Sequence, residues 1–142
     1  MRLKRLMVFD PPLAAPVEHC AERVAEALAE RGFPRVTWSD GRVEFGGAGV
    51  FSRYGHPGLR AASAVSGGSV RLDPRGTHAE LEVRYPFGSL GIPALVALGF
   101  ILAGGPWPFR AVPVAILAFA AFQAWSGARP VERWVREALE AP

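Results

Sequence analysis

Apolar positions along the chain follow three patterns, and each predicts a different kind of element. The segment Leu3–Phe9 is rich in Leu, Met, Val and Phe and stops at Asp10-Pro11-Pro12. It reads as a strand followed by a turn. Val17, Cys20, Ala21, Val24 and Leu28 then recur at steps of three and four, a single apolar stripe that predicts a helix starting near Pro16. Proline is tolerated there because its missing N–H would be unpaired in a first turn. Gly32 is the expected left-handed close of this helix, with Phe33 folding back on the last turn.

The second pattern is alternation. Val36 and Trp38 are separated from Val43 and Phe45 by Asp40-Gly41, the dipeptide that best specifies a two-residue hairpin. Val70 and Leu72 are followed by Asp73-Pro74-Arg75-Gly76 and then by Ala79, Leu81, Val83 and Tyr85, a second hairpin with a longer turn. Between them Gly46–Gly68 is rich in Gly, Ser and Ala, and Val50–Tyr54 and Leu59–Val65 read as a ragged strand or two. Strand, helix and strand meander together predict an α+β head over residues 1–86: an antiparallel sheet of about four to six strands with one packed helix.

The third pattern has no period. Residues 87–126 are 40 predominantly apolar positions whose only charge is Arg110. A helix needs about 20 apolar residues to cross a hydrocarbon core roughly 30 Å thick, so 40 is too many for one span and enough for two. Gly104-Gly105-Pro106-Trp107-Pro108 breaks the run, giving an expected transmembrane helical hairpin of about 89–104 and 109–126. Pro93 and Pro113 fall near the expected helix starts, where a lost donor costs little. Trp107, Phe109 and Trp125 fall at the expected ends, where aromatic rings favour the interface. After Gly127 and Pro130, residues 127–142 read as a short amphipathic helix. Val131, Trp134, Val135 and Ala138 share its apolar face, and Glu132–Arg136, Arg133–Glu137 and Arg136–Glu140 are spaced for ion pairs. With three Arg against three Glu it has no excess charge to draw it to anionic lipid, so docking against protein is the expectation.

Charge then orients the chain. Arg71, Arg75 and Arg84 precede the apolar run, Arg129, Arg133 and Arg136 follow it, and the connecting turn holds Arg110 alone. The positive-inside rule places head and tail on the cytoplasmic side of a cell (inner) membrane, with two passes between them. The net charge of +3 is scattered, with 12 basic and 10 acidic groups in residues 1–86, so no basic stripe points to nucleic acid.

Candidate chemistry is sparse. His19 and Cys20 are sequence neighbours and diverge by about 100° on a helix, and Cys20 belongs to the apolar stripe. Gly46-Gly47-Ala48-Gly49 lacks the lysine and helix of a phosphate loop. No zinc pattern, nucleophile elbow or dinucleotide fingerprint occurs, so the expectation is no catalytic residue, no metal and no cofactor. With no acid in the apolar run, ion transport is disfavoured as well.

Two features point to contact rather than catalysis. Glu18, Glu22, Glu26 and Glu30 recur every four residues as an acidic ridge, a spacing that costs a helix a few tenths of a kcal/mol per pair. Arg23 and Arg31 flank it as possible neutralising partners. In the apolar run Gly99 and Ala103, Ala111 and Ala115, and Ala120 and Ala124 are small residues four apart, with Gln123 available to hydrogen-bond across a helix contact. The implied partners are the lipid bilayer and a protein, either another chain or a second copy. The residues point to an anchored interaction or accessory role. A small subunit of a larger membrane complex is the alternative, and an enzyme with an unrecognised site the third.

Overall fold

The computed structural model describes residues 2–47 and 65–141. Its elements in chain order are β1 (Arg2–Val8), α1 (Val17–Glu30), β2 (Arg35–Ser39), β3 (Arg42–Gly46), β4 (Gly67–Leu72), β5 (His78–Arg84), α2 (Phe87–Ala103) and α3 (Trp107–Glu140). The five strands form one antiparallel sheet in the order β1-β5-β4-β3-β2. The expected ragged strands in Val50–Tyr54 and Leu59–Val65 lie outside the described residues, save for buried Val65.

Both hairpins and the first helix form where the pattern places them. Asp40 and Gly41 take φ of 49° and 70°, the paired positive values of a type I′ turn, and join β2 to β3. Gly32 takes the left-handed conformation after α1, and the Phe33 N–H donates to the Leu28 carbonyl at 3.2 Å. Phe33 itself is buried edge-on against Phe45, with ring centroids 4.9 Å apart.

One face of the sheet carries the core. Met7, Val43, Phe45, Val70, Leu72, Ala79, Leu81, Val83 and Tyr85 project from it against Cys20, Ala21, Val24 and Leu28 of α1. The opposite face holds charged residues, including Lys4 on Glu80 at 2.8 Å and Arg42 on Glu44 at 2.8 Å. These pairs are solvent-exposed and contribute little.

The last element differs from expectation. The helix that begins at Trp107 does not end near Ser126 but runs unbroken to Glu140, through Gly127 and Pro130. No separate C-terminal helix therefore exists, and the sheet is covered by two helices rather than one: α1 and the second half of α3. Pro130 forfeits one backbone bond, a cost of about 3 kcal/mol in a helix interior. Against it stand Val131, Val135 and Leu139, all essentially inaccessible, at about 1.5–3 kcal/mol each for burial. Packing outweighs the local breaker.

Apolar and small residues of α3 make one continuous seam: Pro113, Ala120, Ala124, Gly127, Ala128, Val131, Trp134, Val135 and Leu139 are all buried. Across its first half α3 packs on α2, and across its second half on the head. Small side chains at 124, 127 and 128 let it approach closely where the two halves meet, and there the Tyr85 hydroxyl donates to the Ala124 carbonyl. Burial holds that hydroxyl above its usual pKa and hence neutral. Farther along, Arg5 pairs with Glu132 at 2.8 Å, and Arg23 donates to the carbonyls of Leu139 (3.4 Å) and Ala141. The Leu139 carbonyl belongs to the last turn, which has no intrahelical donors left, and Ala141 lies just past it, so Arg23 closes the helix end and opposes the negative end of its dipole. The tail is thus docked on the head, as its lack of net charge suggested.

Candidate functional site

Away from the head, α2 and the first half of α3 pack chiefly on each other among the described residues. Among the described residues, Ile92, Leu95, Val96, Leu98, Ile101 and Leu102 of α2, and Trp107, Phe109, Val114, Leu117, Phe119, Phe122 and Trp125 of α3, are exposed large apolar side chains. Leu102 and Trp107 keep more than three quarters of their surface accessible, at 77% and 79%. So many exposed large apolar side chains on two adjacent helices are unusual for a monomer that faces water alone. A helix apolar on all sides, as α2 is, needs burial in protein or lipid.

Among the described residues one helix, Trp107–Glu140, is long and apolar enough to cross a membrane. The expected pair of spans is therefore not shown: one helix qualifies, and α2, of 17 residues, is a shorter apolar helix beside it. At 1.5 Å per residue α2 is about 26 Å long, short of a full hydrocarbon thickness. Pro93 and Pro113 each stand seventh in their helices rather than in the first turn, because both helices start two residues earlier than the sequence reading.

The acidic ridge is present as spaced. Glu18, Glu22, Glu26 and Glu30 are all exposed along α1. Its proposed neutralisers turn away: Arg23 goes to the end of α3, and Arg31 lies over the Trp134 ring at 5.2 Å and 4.0 Å from Glu137. Glu22 has His19 Nδ1 at 3.6 Å on the same helix. The ridge lies on α1 in the head, whereas the exposed apolar residues lie on α2 and the first half of α3, so the candidate residues sit on separate elements.

The small-residue pairs divide. Ala120 and Ala124 are buried in the α3 seam, whereas Ala111 and Ala115 are exposed. Gly99 has open space around it and Ala103 is exposed, so this pair faces away from α3. Gln123 is half-buried and its backbone carbonyl accepts from the Ser126 hydroxyl at 3.3 Å. Trp134 lies in the core under Arg31.

No protein-family model, curated protein or solved structure matches the chain.

Two polar clusters were not anticipated. An open cleft of about 520 Å³ lies between the β1–α1 loop and the end of α3, lined by Phe9, Pro11, Leu13, Arg23, Arg136 and Leu139. Both arginines are engaged by the last turn of α3, Arg136 with Glu140 at 3.6 Å, so the cleft is the seam of a helix cap. At the β4–β5 turn the Asp73 carboxylate accepts from Thr77 Oγ1 at 2.8 Å and from the Arg75 N–H at 3.2 Å, and the Thr77 hydrogen bond holds its pKa below the usual range. That arrangement clasps a turn. Among the described residues, no three His, Cys, Asp or Glu gather as a metal site would need.

Proposed function

We propose that this chain is a membrane-anchored accessory protein whose α+β head stands directly on the cytoplasmic surface of the inner membrane. The observation carrying this reading is the division of α3: its first half shows apolar side chains to the surroundings, while its second half is part of the head's core. In this reading α2 and the first half of α3 form a short two-pass hairpin, with some thinning of the bilayer around it. The glycine-proline turn at 104–106 lies outside, and both ends of the chain lie inside. The head offers its acidic ridge to a basic protein surface and performs no chemistry of its own.

Cys20 is the chain's sole cysteine and is buried, which makes accessibility labelling direct. Gly105→Cys and Asp40→Cys would be expressed separately and challenged with a membrane-impermeant maleimide on intact cells. The reading expects label at position 105 and none at position 40 until the cells are broken. Label at position 40 from outside overturns the orientation, and recovery of the chain without membranes overturns the anchor.

Open space around Gly99 favours a second reading, in which the hairpin is a subunit surface within a larger membrane complex. Stable co-purification of other membrane subunits in mild detergent, lost on Gly99→Leu, would support it over the first.

A further inference from the structure

The register of the sheet gathers arginines that are far apart in sequence. Arg2 of β1 lies opposite Arg84 of β5, and Arg84 opposite Gly67 of β4. Arg35 of β2 lies opposite Gly46 of β3, one step beyond the Phe45–Gly68 pair and hence in the same row. Alternation puts all three side chains on the sheet face turned away from the helices. This row is also the end of the sheet from which the chain leaves for α2, three residues after Arg84, and where Tyr85 meets Ala124. A fourth arginine, Arg129, stands on α3 five residues beyond Ala124, on the helix side of the sheet, its guanidinium 3.6 Å from the Trp125 ring centre.

Counter-charge at this end is thin. Glu82, one alternation inward, is 3.5 Å from Arg2 and 3.7 Å from Arg84, a single carboxylate for two cations. Among the described residues no carboxylate pairs with Arg35 or Arg129. By contrast Arg71 and Arg75, which carried weight in the sequence argument for orientation, belong to the other end of the sheet. Arg71 lies opposite Glu80, four residues from Arg84, or about 14 Å further from the apolar helices.

We propose that Arg2, Arg35, Arg84 and Arg129 form a rim that binds the phosphates of anionic phospholipid headgroups. This rests on the membrane-anchored reading and names the lipid that the anchor selects. Two properties single out lipid as the occupant. The cations lie at the junction between the apolar helices and the head, where headgroups would be, and guanidinium groups bind phosphate oxygens through paired N–H donors. Arg129 stacked on an interfacial tryptophan has the same arrangement on the helix side.

The full chain would be placed in nanodiscs of phosphatidylcholine alone or of phosphatidylcholine with one quarter phosphatidylglycerol. Melting temperature and the lipids retained in native mass spectrometry are the readouts. The rim predicts a higher melting point and selective retention of phosphatidylglycerol. A juxtamembrane arginine contributes on the order of fivefold to binding an anionic surface, so Arg2→Gln, Arg35→Gln and Arg84→Gln together lower the selectivity by roughly tenfold to a hundredfold. Arg71→Gln, with the same charge change at the far end, leaves it intact. The wild-type preference should also collapse at high salt, a readout that does not depend on the triple variant folding. Equal melting and unselective retention in the two discs overturn the rim while leaving the anchor standing. So does an equal shift from inorganic phosphate added to phosphatidylcholine discs, or an equal loss in Arg71→Gln. Failure to enter discs of either composition overturns the anchor and the rim together.

Discussion

Replacing Trp134 by alanine tests the junction between α3 and the head more severely than any other single change. The side chain is 7% exposed, lies in the same cluster as the sheet residues, and is covered by the Arg31 guanidinium at 5.2 Å. Removing a buried aromatic of this size costs about 3–5 kcal/mol, combining lost transfer energy with the cavity left behind. A partly exposed cation–π contact adds about 0.5–1 kcal/mol, within the uncertainty of the first figure. For a chain of this length 1 kcal/mol moves the melting point by about 3–5 °C, so Trp134→Ala should lower it by roughly 10–20 °C. The control is Trp107→Ala in the same helix, 79% exposed at the far end of α3, for which detergent or lipid already takes the place of protein. Both would be followed by circular dichroism in the same detergent. Equal melting points for the two variants, or a drop of less than about 3 °C for Trp134→Ala, would refute the docking of α3 on the sheet.

Val24→Asp or Leu28→Asp buries a charge at a fully inaccessible position of α1 and should abolish cooperative unfolding of the head, seen as rapid cleavage under limited proteolysis. Tyr85→Phe removes the hydroxyl that donates to the Ala124 carbonyl and should cost about 0.5–1.5 kcal/mol without changing the fold, measured by thermal melting. Acid should weaken the head through Asp73 and Glu80, whose pKa values are held below the ordinary range by hydrogen bonds from Thr77 and Lys4 respectively. A depressed carboxylate contributes fully above its unfolded pKa and loses that contribution as pH falls through the folded one, so stability should decline below about pH 4. Asp73→Asn should flatten that decline, and an unchanged slope would count against the turn clasp.

Much of the head can be read from residue order because its determinants are local. The α1 stripe and Asp40-Gly41 are short-range signals, and tertiary structure agrees with both. Gly127 and Pro130 misled for the opposite reason. They are valid local breakers, but the residues on both sides of them fall on one seam, and only the fold shows that the seam has something to bury against. Arg23 and Arg31 likewise read as partners of the glutamates next to them in sequence, whereas long side chains reach whichever acceptors the packing supplies. The arginine rim was illegible altogether. Arg2, Arg35 and Arg84 become neighbours only through strand register, which no single segment encodes.

The uninterrupted run of α3 from Trp107 to Glu140 also fixes a phase and a height. A head on a flexible tether can swivel, but one grown from its own anchor helix turns with it. In the proposed membrane-anchored reading Trp125 marks the bilayer boundary, and Glu137, beside the end of α1, stands 12 residues later, about 18 Å above it. The acidic ridge therefore occupies a set layer beyond that level, at a set compass bearing about the bilayer normal. A single residue inserted between Trp125 and Val131 would lift the head by only about 1.5 Å but swing it by about 100°. Any partner seated on the same membrane would then find the glutamates facing elsewhere, with every surface residue of the head unaltered.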